Sequence, residues 1–186
     1  MKGKIKKEFQ IIAPKFFGGA AIGITRADKP DKIIGRKLSI YAGDLNKNMK
    51  KYYYKFHFKI TDIEEDKANC AFVGYEVSKS YLSKNIRKFS TRIDGRIKGK
   101  TKDDKEIVLK VFVTTVKNVQ TSVAKVIRQK IENFIDLSLL GNELDALMTK
   151  ILNDELQRDL KKVLNIIYPI STVEIMKAEI NIPAEK

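Results

Sequence analysis

One cysteine, Cys70, and one histidine, His57, are all the chain has of either residue. A lone cysteine excludes an internal disulfide and a multi-cysteine metal cluster, and it fits an intracellular protein. A lone histidine removes the usual His-rich zinc sites and His–His catalysis. No stretch approaches the about 20 apolar residues needed to cross a bilayer, and the opening MKGKIKKEF lacks the apolar run of a signal peptide. No internal repeat or low-complexity segment is present. Carboxylates are scarce where cations are dense. Residues 1–60 carry 15 basic and 4 acidic side chains, and residues 79–102 carry 9 and 1. Only residues 131–186 reverse the balance, with 6 basic and 10 acidic.

What is present is a folded, cationic chain of 186 residues. Lys and Arg number 37 against 23 Asp and Glu, a formal net charge of +14, and 43% of residues are hydrophobic. That apolar fraction is too high for a disordered basic tail. The length suits a single domain over 1–186. The charge shift along it implies two surfaces with different partners, the basic one suited to a polyanion.

The pattern predicts an α+β fold. Residues 33–42, 52–61, 69–78, 91–99 and 106–116 are rich in β-branched and aromatic residues. Turn formers separate them at Asp28-Lys-Pro30, Gly43-Asp44, Glu64-Glu65-Asp66 and Lys102-Asp103-Asp104. Residues 91–116 read as a hairpin. Even spacing of short strands predicts an antiparallel β-barrel or strongly curled sheet over about 5–118. The period then changes. Val123, Ile127, Ile131, Phe134 and Ile135 share one helical face. After Gly141, with Asn142 as a cap, Leu144, Leu147, Met148 and Ile151 share another. After Asp154, Leu156, Leu160, Val163, Leu164 and Ile167 define a third helix, ended by Pro169. About three helices thus occupy about 119–168, and 170–180 closes the fold as a final strand. Residues 1–4 and 181–186 are expected to be loose.

Catalytic constellations are not found. Alternation in 52–61 puts Tyr52, Tyr54, Phe56, Phe58 and Ile60 on one face. His57 then lies on the other, with Lys55 and Lys59 about 7 Å away on either side. Two ammonium groups favour a neutral imidazole, and no carboxylate on that face orients it. Cys70 has no adjacent histidine to activate it. The acidic groups at 64–66 and 103–104 fall in turns, where they solubilise loops. Gly18-Gly19 lacks the Gly-Lys-Ser/Thr ending of a phosphate loop, and a turn requiring small residues accounts for it better. The residues imply no enzyme, no metal, no cofactor and no small-molecule substrate.

Binding signals are stronger. A helix beginning near Ser78 places Tyr81, Leu82, Ile86 and Phe89 on one side and Lys84, Arg87 and Lys88 on the other. The following strand turns Ile93 and Ile97 inward and Arg92, Arg96 and Lys98 outward, with Lys100 beyond them. Two elements of different period both sort their cations outward, a basic patch for which phosphate backbone is the natural ligand. An anionic membrane would need a helix with a bulky apolar face free for lipid, whereas here that face is needed for the core. In Pro14-Lys15-Phe16-Phe17, two aromatics sit beside a cation; they either stack on bases or plug the open end of a barrel.

Several short motifs then occur in a recognisable order. They are Ile12-Ala-Pro-Lys-Phe-Phe-Gly-Gly19, Ile22-Gly23, Ile34-Gly35-Arg36, Phe58-Lys-Ile60, Phe72-Val-Gly-Tyr-Glu76, Tyr81-Leu82 and Arg87-Lys88. Ser90-Thr-Arg-Ile-Asp94, Thr101-Lys-Asp103, Thr121-Ser122, Ala124 with Ile127-Arg128, Ile167-Tyr-Pro169 and Val173-Glu-Ile175 complete the series. The series covers roughly residues 8–178 and resembles the small-subunit ribosomal protein family S3Ae, also written S1e. The Lys-, Ile- and Asn-rich composition is similar to that of archaeal members. Phe89 stands where the family commonly has a further basic residue, and Ser171-Thr172 replaces a basic pair.

The resemblance implies a β-barrel with flanking helices, and a structural, non-catalytic role in translation on the cytoplasmic small ribosomal subunit. It implies a place on the platform, near the mRNA exit. The implied partners are small-subunit rRNA, neighbouring ribosomal proteins and the exiting mRNA, with no membrane. Carried over by position, the RNA-contact candidates are Lys15, Arg36, Arg87, Lys88 and Arg92. Lys84, Arg96, Lys98 and Lys100 join them from the outward-facing pattern, and Phe16 and Phe17 are candidates for base stacking. The rival readings are a free single-strand RNA-binding barrel acting off the ribosome and an RNA-processing enzyme, for which the residues provide no acid–base pair.

Overall fold

Eight strands and five helices organise residues 7–14, 17–45 and 51–181, the residues that the computed structural model describes. The chain divides into two compact units, Met1–Tyr75 and Glu76–Lys186. Of the residues expected to be loose, 1–4 and 182–186 lie outside the described residues, whereas Asn181 ends the final strand.

The first unit contains β1 (Lys7–Ile12), β2 (Ala21–Ala27), β3 (Lys37–Tyr41), the short helix α1 (Ala42–Leu45), β4 (Tyr54–Glu64) and β5, which begins at Lys67 and runs to Val77. Tyr54, Phe56, Phe58 and Ile60 alternate inward and are fully buried, as the pattern predicts, but Tyr52 precedes the strand and is exposed. Phe17 closes on this face, with ring centroids 5.0 Å from Phe56, 5.3 Å from Phe58 and 5.2 Å from Phe72. Phe72 and Tyr75 are three residues apart on β5, a spacing that normally points two side chains to opposite faces. Gly74, at φ +148°, shifts the phase so that both rings reach Phe56.

These strands hydrogen-bond in the order β2-β1-β5-β4-β3. The closed antiparallel barrel expected from strand spacing is therefore not formed. β2 and β3 do not pair with each other, and β1 runs parallel to β5, with Gln10 opposite Lys67 and Ile12 opposite Asn69. Gly35 N–H donates to Ile60 O and Ile60 N–H donates to Arg36 O, which extends the β3–β4 pairing ahead of Lys37. Strands β1 and β2 were not legible as strands. On β1 only Phe9 and Ile11 alternate inward, and β2 buries Ala27 alone while leaving Ile24 exposed.

The second unit contains α2 (Lys79–Lys84), β6 (Arg92–Lys100), β7 (Glu106–Thr115), α3 (Thr121–Gly141), α4 (Leu144–Leu152), α5 (Glu155–Asn165) and β8 (Ile170–Asn181). The three C-terminal helices and the final strand agree with the periodicity. Strands β6, β7 and β8 form an antiparallel ladder in that order. Helix α3 buries Ile127, Ile131, Ile135 and Leu139 along one stripe, each worth roughly 1.5–3 kcal/mol of transfer free energy. Its partner strand β6 presents Ile93, Gly95, Ile97 and Gly99 on the facing side. A Cβ on Gly99 would lie 2.7 Å from Leu139 Cδ1, and one on Gly95 would lie 3.3 Å from Ile131 Cγ2. The alternation of isoleucine and glycine is therefore the complement of the helix surface. Asp103, read from sequence as a loop solubiliser, instead accepts a hydrogen bond from Leu144 N–H at 3.2 Å and satisfies the start of α4.

Two glycines should behave oppositely. Gly99→Val adds volume where Leu139 already touches and is expected to cost about 1–3 kcal/mol, lowering the thermal midpoint followed by circular dichroism. Gly141 has nothing within 4 Å of its would-be Cβ, so Gly141→Ala should leave the midpoint unchanged or raise it slightly. A Gly99→Val protein melting with the parent would show that α3 does not rest on β6 this closely.

Candidate nucleic-acid interface

Because side chains alternate along a strand, burying Ile93 and Ile97 under α3 sends Arg92, Asp94, Arg96, Lys98 and Lys100 to the other face, where all five are exposed. Strand register extends that face across the sheet. Arg96 lies opposite Lys110, and Lys110 lies opposite Lys177, giving three cations in one row over β6, β7 and β8. Directly opposed like charges destabilise a sheet, so the row is unfavourable for the fold taken alone. The first unit repeats the device at smaller scale, with Lys37 opposite Lys59 between β3 and β4. Lys37, Lys59, Lys110 and Lys177 were missed in the sequence. The 91–116 hairpin pattern could have found Lys110, had its register been counted.

Carboxylates hold parts of this face in check. Lys98 Nζ lies 3.4 Å from Glu106, and Lys177 pairs with Glu179. Hydrogen bonds from Asn181 and Lys98, with the charges of Lys98 and Lys100, hold the Glu106 carboxyl below its ordinary range. A hydrogen bond from Lys177 does the same for Glu179, helped by the charges of Lys177, Lys110 and Arg96. Both stay ionised near neutrality. Arg92 is more heavily committed. Its guanidinium grips Asp94 at 2.9 Å and lies 5.1 Å from the centroid of the Phe112 ring. Arg128 of α3 donates to Asp94 O at 3.1 Å, bringing a further cation to the β6 backbone.

The helix expected to run from Ser78 past Phe89 ends early, at Lys84. Ser90 explains why: its Oγ accepts from Arg87 N–H and donates to Arg87 O, closing a local turn that competes with helical bonding. Leu82 is buried as expected, whereas Ile86 and Phe89 are exposed. Lys84, Arg87 and Lys88 remain exposed, at the end of α2 and in the turn that follows. Arg36 is exposed but spends its donors within the chain, on Lys32 O, Thr25 Oγ1 and Arg26 O. It is a strap between β2 and the segment before β3. Lys15 and Phe16 lie outside the described residues. Phe17 is engaged in the aromatic cluster described above, as a plug would be.

The groups set aside as catalysts have structural partners. His57 Nδ1 is 2.8 Å from Ser39 Oγ on the adjacent strand. Cys70 is buried, and desolvation pushes its thiol up to about 11, which suppresses the thiolate. Gly18 and Gly19 adopt φ +81° and +63° in the turn between β1 and β2. Among the described residues, no helix is long and apolar enough to cross a membrane.

If Glu106 and Glu179 restrain the basic face, Glu106→Gln combined with Glu179→Gln should tighten binding to an RNA oligonucleotide. It should also steepen the dependence of log K on log salt by up to about two, as read by anisotropy titration at several salt concentrations. Unchanged slope would place the bound phosphates elsewhere.

The chain is also similar to known proteins along nearly its whole length. The model of the ribosomal S3Ae family matches residues 2–182. A protein named small ribosomal subunit protein eS1 from Methanothrix thermoacetophila is 32% identical over 180 residues, covering 96% of this chain and 85% of the relative. Proteins of the same name from Desulfurococcus amylolyticus and Staphylothermus marinus are 30% and 31% identical over 179 residues, covering 96% of this chain and 84% of each relative. The motif order, the cation-bearing sheet and these matches along nearly the whole length lead to one assignment: the chain belongs to the ribosomal S3Ae family.

Proposed function

We propose that this protein is a structural component of the small ribosomal subunit, binding rRNA through its basic sheet faces and performing no catalysis. The row Arg96–Lys110–Lys177 carries the reading. Three like charges set side by side are unfavourable until an anion lies across them, and a phosphate backbone supplies charges at comparable spacing. Lys84, Arg87, Lys88, Lys98 and Lys100 extend the contact surface in the second unit, with Arg92 at its margin, and Arg36 and Lys15 are further candidates in the first unit. A place on the platform near the mRNA exit, as the family resemblance implies, would suit a chain whose net-acidic C-terminal third can face basic protein neighbours. Work in the cytoplasm, beside exiting mRNA, follows from the same reading.

A free single-strand RNA-binding protein would share the basic face but would not travel with subunits. Sucrose-gradient sedimentation of the tagged protein from its own cell extract separates the two. The protein is expected in the small-subunit fraction at low salt and after a high-salt wash. Recovery only at the top of the gradient at both salts would overturn the ribosomal reading.

Charge reversal of Arg87, Lys88 and Arg96 together should weaken rRNA association and flatten its salt dependence, with little change in melting temperature. Arg92 is left intact here because its reversal would also break the Asp94 and Phe112 contacts. Constant affinity with collapsed stability would make those three side chains structural.

A further inference from the structure

Phe89 is 68% exposed and sits at φ +63°, in the left-handed region that bulky residues seldom occupy. It is the third residue of a tight turn from Arg87 to Ser90, closed by Ser90 N–H donating to Arg87 O at 3.2 Å and by the Ser90 hydroxyl. Glycine is the residue that this position of a turn favours. A phenylalanine there opposes the backbone preference and gains little burial, so the fold alone does not account for it. Its surroundings point to a ligand. Arg87 and Lys88 are exposed on the same turn, Lys84 ends the preceding helix, and the Lys88 ammonium lies 5.0 Å from the centre of the Phe89 ring.

We propose that Phe89 is a stacking platform for an unpaired RNA base, with Arg87 and Lys88 holding the phosphates on either side of it. An aromatic face binds any base, and adjacent cations hold the backbone that delivers it. An apolar pocket on a protein would have to desolvate those cations together with the ring, which favours the nucleotide over a protein partner. The proposal rests on the RNA-binding reading above and adds a single-stranded element to it.

The test uses the full chain and two probes: a short unstructured RNA carrying 2-aminopurine, and the same RNA annealed into a duplex. The parent should quench 2-aminopurine on binding. Phe89→Ala should lose roughly 5- to 100-fold in single-strand affinity, abolish quenching, and keep both its salt slope and its duplex affinity. Phe89→Tyr should restore binding. Phe89→Gly should bind as poorly as Phe89→Ala while melting at or above the parent temperature, because glycine relieves the backbone. Single-strand affinity unchanged in Phe89→Ala would overturn the proposal and leave the ring for a protein neighbour. Equal losses on strand and duplex would also overturn it, making Phe89 a support for the turn. If reversal of Arg87, Lys88 and Arg96 abolishes binding while Phe89→Ala does not, stacking fails and the RNA-binding reading stands. A parent that binds neither probe would overturn both.

Discussion

The burial of α3 against β6 is the contact on which the arrangement of the second unit depends. Four apolar side chains of the helix meet a strand face built of alternating isoleucine and glycine, and a Cβ on either glycine would force Ile131 or Leu139 to shift. Once that face is inside, the two-residue period of a strand leaves no choice for the other. Arg92, Asp94, Arg96, Lys98 and Lys100 must point outward, and the ladder with β7 and β8 carries the same outward direction to Lys110 and Lys177. The position of the charges is a consequence of packing, and the charges themselves contribute nothing to it.

That separation explains why the chain can tolerate a row of opposed cations. The apolar side supplies the stability, and the outer side is free to be electrostatically unfavourable. Glu106 and Glu179 offset part of the repulsion, each hydrogen-bonded by a lysine of the same face and held ionised by it. Arg96 and Lys110 form no ion pair within 4.0 Å among the described residues. A surface built only to be soluble would interleave the two signs. Here each carboxylate of the face is tied to one cation, Asp94 to Arg92, Glu106 to Lys98 and Glu179 to Lys177, leaving the middle of the row to an external anion.

How much was legible follows from how local each signal is. The C-terminal helices declared themselves because Ile127, Ile131 and Ile135, then Leu144, Leu147, Met148 and Ile151, repeat at helical spacing without help from distant residues. The buried face of β4 and the outward cations of β6 were readable for the same reason. Strand partners are not local. Nothing in Lys7–Ile12 announces that it runs parallel to Lys67–Asn69, and even spacing alone could not distinguish a closed barrel from an open order. Of the candidate contacts, those on one element were found, whereas Lys110 and Lys177 become neighbours of Arg96 only through register. Asp103 shows the same limit: its hydrogen bond to Leu144 spans 41 residues.

The aromatic residues carry this argument one step further. Phe17 stands beside a cation in a glycine-flanked loop, a setting that suits display, yet it packs on Phe56, Phe58 and Phe72. Phe89 falls at a core position of a helical pattern, yet a serine hydroxyl breaks the helix and leaves the ring in solvent. Local hydrophobicity cannot tell these cases apart, because each phenylalanine lies within two residues of a lysine. What separates them is the partner surface available. The first has three rings supplied by neighbouring strands. The second has a backbone turned into the left-handed region, where no other element among the described residues covers it. Exposure of Phe89 is thus set by the Ser90–Arg87 hydrogen bonds, a contact within one four-residue turn that overrides an apolar period spanning about two and a half helical turns.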